Sequence, residues 1–319
     1  MIAQDNTYWT LGRYRLHQHV DGVSALGMVA KTEEERINWA ESLLGIPDVW
    51  TQTMGEGVKV AVLDTGVDPD HPDLKSAIVA SRDFTGDGIE DHNGHGTHCA
   101  GIIGARMNDV GFVGVAPKCD LLIGKVLNNA GQGNYDWITA GVEWAVAAGA
   151  DIISMSLGGP MSTHNLYQAL HRALAEGKTI MCAAGNEGSL ALNNIGFPGR
   201  YGGVITVASH DMNGNRSGFS SRGGEIDVMA PGTNIWSTYR DGGYAELSGT
   251  SMATPFVAGL GALILSKHRQ VPTSSTPVEN CEDMRAHLLR MAAHPGYHDN
   301  NTGYGPLQPF RYFGTKGVD

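Results

Sequence analysis

The sequence predicts an α/β fold: a doubly wound, mostly parallel central sheet with helices on both faces. Three observations carry this. Short apolar, β-branched runs at 58–63, 121–127, 151–157, 179–184 and 204–208 read as buried strands. Segments of helical period, at 135–148 and 166–176, lie between them, and strands alternating with helices imply a parallel sheet. The chain has 319 residues, is 41% hydrophobic and only 17% charged, and contains 44 Gly, which suits a large core crossed by many tight turns.

The elements follow in order. Residues 1–48 are mixed, with 14–19 polar and extended and 33–44 a short amphipathic helix; they read as an N-terminal extension, either an arm or a pro-segment that is later removed. The domain proper is expected over 49–319. After the strand at 58–63 comes a His- and Gly-rich stretch that opens a short helix at 100–105. The alternating strands and helices follow. An apolar run at 256–265 reads as a buried helix that begins at Ser251. A further helix is expected over 278–291, and an irregular or edge-strand tail from 303. No internal repeat interrupts this single domain.

The formal net charge is −11, which argues against general binding to nucleic acid or to an anionic membrane. The first residues carry no basic segment followed by an apolar one, and no stretch is long enough to span a membrane, so a cytoplasmic location is expected. Cys99, Cys119, Cys182 and Cys281 are far apart and form no CxxC, so free thiols are expected rather than a disulfide framework.

Three residues stand out chemically. Asp64, before Thr65 and Gly66, is either a turn former or a carboxylate presented at the carboxyl end of a strand, where open α/β sheets bind ligands. His95 lies between Gly94 and Gly96, a pairing that suits a histidine exposed at a helix start. Its spacing to His92 and His98 is not that of a zinc motif. Ser251 at the mouth of a buried helix either caps it or acts as a nucleophile favoured by the free N–H groups and the dipole. Together they supply a nucleophile, a base and a carboxylate that fixes the base, in the chain order Asp, His, Ser.

With these residues the chain resembles the subtilisin-like serine peptidases. Val62-Leu63-Asp64-Thr65-Gly66, His92-Asn93-Gly94-His95-Gly96-Thr97-His98 and Gly249-Thr250-Ser251-Met252-Ala253-Thr254-Pro255 match the family's Asp, His and Ser motifs. Ala183-Ala184-Gly185-Asn186 matches its oxyanion motif. The resemblance covers about residues 50–270. It implies a serine endopeptidase that cleaves extended or unfolded polypeptides through an acyl-enzyme. Ser251 would attack, His95 would move the proton, Asp64 would hold the imidazole, and Asn186 would donate to the oxyanion with support from Thr250. Gly131, Gln132 and Gly133 on one side, and Ser156, Leu157 and Gly158 on the other, would sandwich the substrate strand. Ala183, Gly185 and Gly196 would line a wide S1 pocket for a large apolar residue, with Glu187 at its rim able to admit a basic one.

The resemblance also implies structural calcium. Asp73, Arg106, Asn108, Val110 and Phe112 correspond to a tight site, although Met107-Asn108 replaces the usual Asn-Asn and no N-terminal ligand is identifiable. Gly199, Tyr201, Val204, Glu225 and Asp227 correspond to a second, weakly bound cation. Cys99, four residues after His95, is similar to the cysteine of the proteinase K and kexin branches. Acidity and the short extension resemble the intracellular subtilisins, whose cleft-blocking Leu-Ile-Pro-Tyr motif is absent from 1–48. The expected partners are polypeptide substrates; a homodimer is left open.

Overall fold

The computed structural model describes residues 13–16, 29–30, 35–271 and 277–315. The elements run β1 (Arg13–Leu16), β2 (Val29–Ala30), α1 (Trp39–Leu43), α2 (Ile46–Trp50), β3 (Lys59–Asp64), β4 (Ile78–Asp83), α3 (His95–Gly104), β5 (Asp120–Lys125), β6 (Gln132–Asn134) and α4 (Tyr135–Ala147). They continue with β7 (Ile152–Met155), β8 (Leu157–Gly158), α5 (His164–Ala175), β9 (Thr179–Ala183), β10 (Ile205–His210), β11 (Val228–Pro231), β12 (Ile235–Tyr239), β13 (Gly243–Leu247), α6 (Thr250–Gln270), α7 (Cys281–Leu289) and α8 (Phe310–Phe313).

Seven strands form one sheet in the order β11-β10-β9-β7-β3-β5-β4. Every neighbouring pair in it is parallel. The chain winds from β3 to one side through β4 and β5, then crosses β3 and winds to the other side from β7 to β11. The winding therefore reverses at β3, and the carboxyl end of β3 is a topological switch point, where such sheets bind ligands. Asp64 is the last residue of that strand.

One face of the sheet packs α3 and α6, which bring Ile102, Ile103, Phe256, Leu260 and Leu263 into the larger core. The other face packs α4 and α5 through Ile138, Val142, Leu166 and Leu170. The first seventeen residues of α6, 250–266, are all buried, as expected of a helix apolar on every side. Its glycines allow this depth: a Cβ at Gly259 would lie 2.6 Å from Val115 Cβ. All four cysteines are free and buried. Among the described residues no helix is long and apolar enough to cross a membrane.

Ala40, Ile46 and Val49, on both sides of the expected boundary at residue 48, are fully buried in the larger core. Several other expectations need correction. The helix expected over 33–44 begins only at Trp39, where Asn38 and Glu41 close a reciprocal capping box; residues 33–34 lie outside the described residues. Of the extended segment 14–19, residues 14–16 lie in β1 and 17–19 lie outside the described residues. The tail contains the single turn of α8. β4, β11 and the antiparallel hairpin β12–β13 were not anticipated.

Candidate active site

The turn after β3 delivers Asp64 to His95. Asp64 Oδ1 accepts the Thr65 amide at 2.7 Å and lies 2.7 Å from His95 Nδ1. The ion pair is buried, with side-chain exposures of 1% and 0%. Glycines bring the two segments this close. A Cβ at Gly96 would sit 2.2 Å from the Gly66 carbonyl oxygen, and Gly94 has a φ of +99°, which favours glycine. The glycine pair around His95 thus serves close approach and a left-handed turn; His95 is buried rather than exposed.

Asp91 latches the His segment to the Asp segment. Its Oδ1 accepts from Thr65 Oγ1 and Gly94 N, both at 2.8 Å, and its Oδ2 accepts from the amide and hydroxyl of Thr97, both at 2.8 Å. The sequence reading missed this residue; its signal is an acid just ahead of an Asn-Gly turn.

Ser251 is the second residue of α6. The cap position is Gly249, one residue ahead of the helix and two ahead of Ser251, so the capping explanation for Ser251 does not hold. Ser251 Oγ touches the Ser156 carbonyl at 3.4 Å, while Ser156 Oγ donates to the Ser251 carbonyl at 2.8 Å. His95 Nε2 is buried without a hydrogen bond. Cys99 lies beneath both, with Sγ 3.8 Å from His95 Nδ1 and 3.4 Å from the Ser251 carbonyl.

Electrostatics separate the neighbouring groups. Burial would lower the pKa of His95, but the Asp64 carboxylate and Cys99 outweigh it and raise the pKa well above the usual value. Burial, with His95 adding to it, pushes His98 down to about 3. Burial raises the Cys99 thiol despite the pull of His95. At neutral pH His98 is uncharged and Cys99 is a thiol.

Asn186 follows the turn after β9. Its Oδ1 accepts from the Thr250 amide and from the Thr250 hydroxyl, both at 3.0 Å. The carbonyl end of the amide is thus committed to α6, which orients the Nδ2 end as a donor. The Thr250 hydroxyl in turn accepts the Gly185 amide at 3.2 Å.

A model of the subtilase family matches residues 55–305. The chain belongs to the subtilase family. It is 52% identical over 230 residues to "Intracellular serine protease" of Paenibacillus polymyxa, covering 70% of this chain and 71% of that one. It is 47% identical over 225 residues to "Subtilisin DY" of Bacillus licheniformis, covering 69% and 81%. It is 43% identical over 240 residues to "Thermitase" of Thermoactinomyces vulgaris, covering 74% and 85%. This subtilase is a serine endopeptidase with an Asp/His/Ser triad.

The residues expected to hold substrate lie around the same edge. Gln132 and Gly133 belong to β6, Leu157 and Gly158 to β8, and β1 runs antiparallel between the two strands. Tyr14 pairs with Gly133, and Leu16 with Leu157. Gly131 turns the chain into β6 with a φ of +71°. Ala183 ends β9, and Gly185 turns with a φ of +115°. The Gly196 amide bonds the Ala184 carbonyl. Glu187 is tied down, its Oε2 accepting from Ser221 Oγ at 2.5 Å.

The residues expected at the tight calcium site come together. Asp73 is fully buried and meets Asn108 Nδ2 at 3.2 Å and the Phe112 amide at 2.8 Å; the Arg106 amide donates to its carbonyl at 2.8 Å. Glu35 completes the loop by accepting from the amides of Asn108 and Asp109 at 2.7 and 3.0 Å. It supplies the N-terminal acid that sequence reading did not find. Among the described residues no donor takes the carbonyls of Arg106, Val110 or Phe112. Asp73 Oδ2 also accepts the Tyr244 hydroxyl at 2.8 Å, and Asn108 Oδ1 the Val110 amide at 3.2 Å. Two carboxylates, an amide and three carbonyls free of protein donors are the hard-oxygen type of set that suits calcium, and no cationic side chain lies among these contacts.

The second cation set does not fit. Arg285 donates to Asp227 Oδ1 and to the Val204 carbonyl, both at 2.8 Å. Thr206 takes Asp227 Oδ2 and the Gly199 carbonyl. Glu225 accepts from Asn193 and pairs with Arg200, and the Tyr201 hydroxyl is engaged with Ser162 and Thr163. The Arg285 guanidinium sits on the Asp227 and Val204 oxygens and supplies there the positive charge that a cation would bring.

Proposed function

We propose that this subtilase hydrolyses extended or unfolded polypeptides through an acyl-enzyme, with a broad preference for a large apolar P1 residue. The buried Asp64–His95 pair, with His95 Nε2 unspent near the start of α6, is the observation that carries the reading. Ser251 Oγ attacks the scissile carbonyl as His95 takes its proton at Nε2. Asp64 keeps Nδ1 protonated and stabilises the imidazolium. The Ser251 amide and Asn186 Nδ2 stabilise the oxyanion. His95 then protonates the leaving amine, and water releases the acyl group by the reverse sequence. Backbone pairing to β6 and β8 supplies affinity without sequence demand. Ala183, Gly185 and Gly196 bring no side chain beyond a methyl to the S1 wall, which supports a wide pocket. The name of the Paenibacillus relative supports an intracellular setting.

Calcium, held by Asp73, Glu35, Asn108 and the carbonyls of Arg106, Val110 and Phe112, would bind the loop 106–112 to the segment before α1. The expected result is a higher Tm with calcium than with EGTA, and a smaller gap in Asp73→Asn; an unchanged Tm would count against the site.

The N-terminal segment is proposed as a removable inhibitor. β1 lies in the lane assigned here to substrate, and Leu16 pairs one residue short of Ser156, the residue Ser251 touches. The removable part ends before Ala40, which is fully buried in the larger core. Intact mass before and after a phosphonofluoridate tests both proposals. One adduct on the wild type and none on Ser251→Ala supports the nucleophile. A wild type shortened beyond Leu16, with Ser251→Ala full length, supports self-removal. Absence of labelling on a chain shown to be shortened would refute the assignment of Ser251.

A further inference from the structure

Lys125 is the last residue of β5 and pairs in register with Asp64 on one side and Asp83 on the other. Its side chain is fully buried. The ammonium has three N–H donors, and it makes three hydrogen bonds: to the Thr65 carbonyl at 2.6 Å, the Glu90 carbonyl at 3.0 Å and Asn129 Oδ1 at 2.8 Å. None of these acceptors is a carboxylate. Asp91, Asp87, Asp83 and Asp64 surround it at longer range and offset part of the cost of burying the charge. The stem runs beneath the turn after β3, for a Cβ at Gly66 would lie 3.3 Å from Lys125 Cδ.

The three acceptors come from three different working segments. Thr65 follows Asp64 directly. Glu90 precedes Asp91, the acid that latches the His95 segment. Asn129 lies two residues before Gly131, at the entry to β6. We infer that Lys125 is a positioning residue that fastens the acid, the base and the substrate lane to one buried cation. The inference rests on the peptidase reading of Ser251, His95 and Asp64. It touches no reacting atom; it acts through the loops that hold them. The ammonium does here what a metal ion does in other loop clusters, with the charge tethered covalently to the strand.

Two consequences are separable from stability. Loss of the tether lets the Thr65 and Glu90 segments move relative to each other, so turnover falls per competent site. Loss of the positive charge also raises the pKa of His95, because a cation near Asp64 disfavours the imidazolium. The groups facing His95 are Asp64, Cys99 and His98, and those facing Lys125 are the four aspartates named above.

The test is Lys125→Met, which keeps the length of the stem. Active sites are counted with a phosphonofluoridate burst, so that misfolded protein drops out of the rate. The expected result is a kcat per titrated site lower by roughly 10–100-fold, with the acid limb of kcat/KM moved to higher pH. An unchanged kcat per titrated site with an unmoved acid limb, whatever the loss in Tm, would overturn the inference. Should Lys125→Met fail to fold, Asn129→Ala decides. It removes one acceptor beside the lane and is expected to raise KM several-fold with little change in kcat; unchanged KM and kcat would overturn the inference. A wild type that neither labels nor cleaves any peptide would instead remove the peptidase reading beneath it.

Discussion

Thr250→Val separates the orientation of Asn186 from its presence. The substitution is nearly isosteric and keeps the backbone amide that bonds Asn186 Oδ1 at 3.0 Å. It removes the hydroxyl that bonds the same oxygen at 3.0 Å and accepts the Gly185 amide at 3.2 Å. One lost hydrogen bond costs about 0.5–1.5 kcal/mol, and a buried amide left unsatisfied about 1–3 kcal/mol. The Gly185 loss falls on the folded state as a whole, so it lowers stability in the ground and transition states alike. Only the loosening of Asn186 acts on the transition state, and about 1.4 kcal/mol there is tenfold in rate. The expectation is a kcat lower by about tenfold with KM little changed, the pattern of an interaction made only in the transition state. The assay is steady-state hydrolysis of a short peptide substrate by four proteins: wild type, Thr250→Val, Asn186→Ala and the double variant. If Thr250 works through Asn186, Thr250→Val costs little in the Asn186→Ala background. An equal loss in both backgrounds would refute the argument and place the effect in the fold of the Gly185 turn.

Other expectations can be measured on the same material. The raised pKa of His95 predicts activity that climbs with pH as the imidazolium loses its proton; Asp64→Asn should move that limb to lower pH and reduce kcat by about 10⁴ through the wrong tautomer, and an unmoved limb would show that Asp64 does not set it. Glu41 is fully buried, with Oε1 unpartnered, and burial pushes its pKa up to about 8. A folded pKa above the unfolded one means stability is greatest below about 4.5 and is lost as pH rises through about 8, by at most about 5 kcal/mol. Glu41→Gln in the Ser251→Ala background should flatten that dependence in urea titrations at pH 5 and pH 9, and parallel curves for both proteins would count against it. Gly259→Ala forces a methyl against Val115 and should destabilise by about 1–3 kcal/mol, read as a lower Tm; an unchanged Tm would show that α6 can shift away from the loop at Val115.

The parts legible in the sequence were those whose physics is local. Each buried strand of the parallel sheet is a short apolar run in its own right, and β3, β5, β7, β9 and β10 were readable for that reason. Asp64, His95 and Ser251 were readable because each sits in a short motif whose glycines and strand or helix boundary are adjacent to it. β4 escaped because it is an edge strand whose short apolar start, Ile78-Val79-Ala80, gives way to Ser81-Arg82-Asp83; three of its six residues are exposed. The β12–β13 hairpin carried a signal that was passed over. Asp241-Gly242 stands between alternating residues, and both adopt positive φ.

The remaining features depend on what distant segments bring together, and no local pattern encodes that. Asn38 and Glu41 start α1 six residues later than the apolar pattern suggests, and Ala40, Ile46 and Val49 are buried against core residues far along the chain. Glu35 joins a loop more than seventy residues away. Arg285 reaches Asp227 and Val204 and replaces a cation that the motif residues alone suggested. Lys125 reads in the sequence as one polar residue inside the apolar run 121–127, yet packing turns it into the common anchor of three loops. By itself the sequence determined five of the seven strands of the sheet, the order of the catalytic groups and the family, because strand, turn and helix propensities act over a few residues. The tertiary structure alone decided which charges are buried together, which acceptors are already taken and which segment lies between β6 and β8, because those follow from the distances between residues remote in the chain.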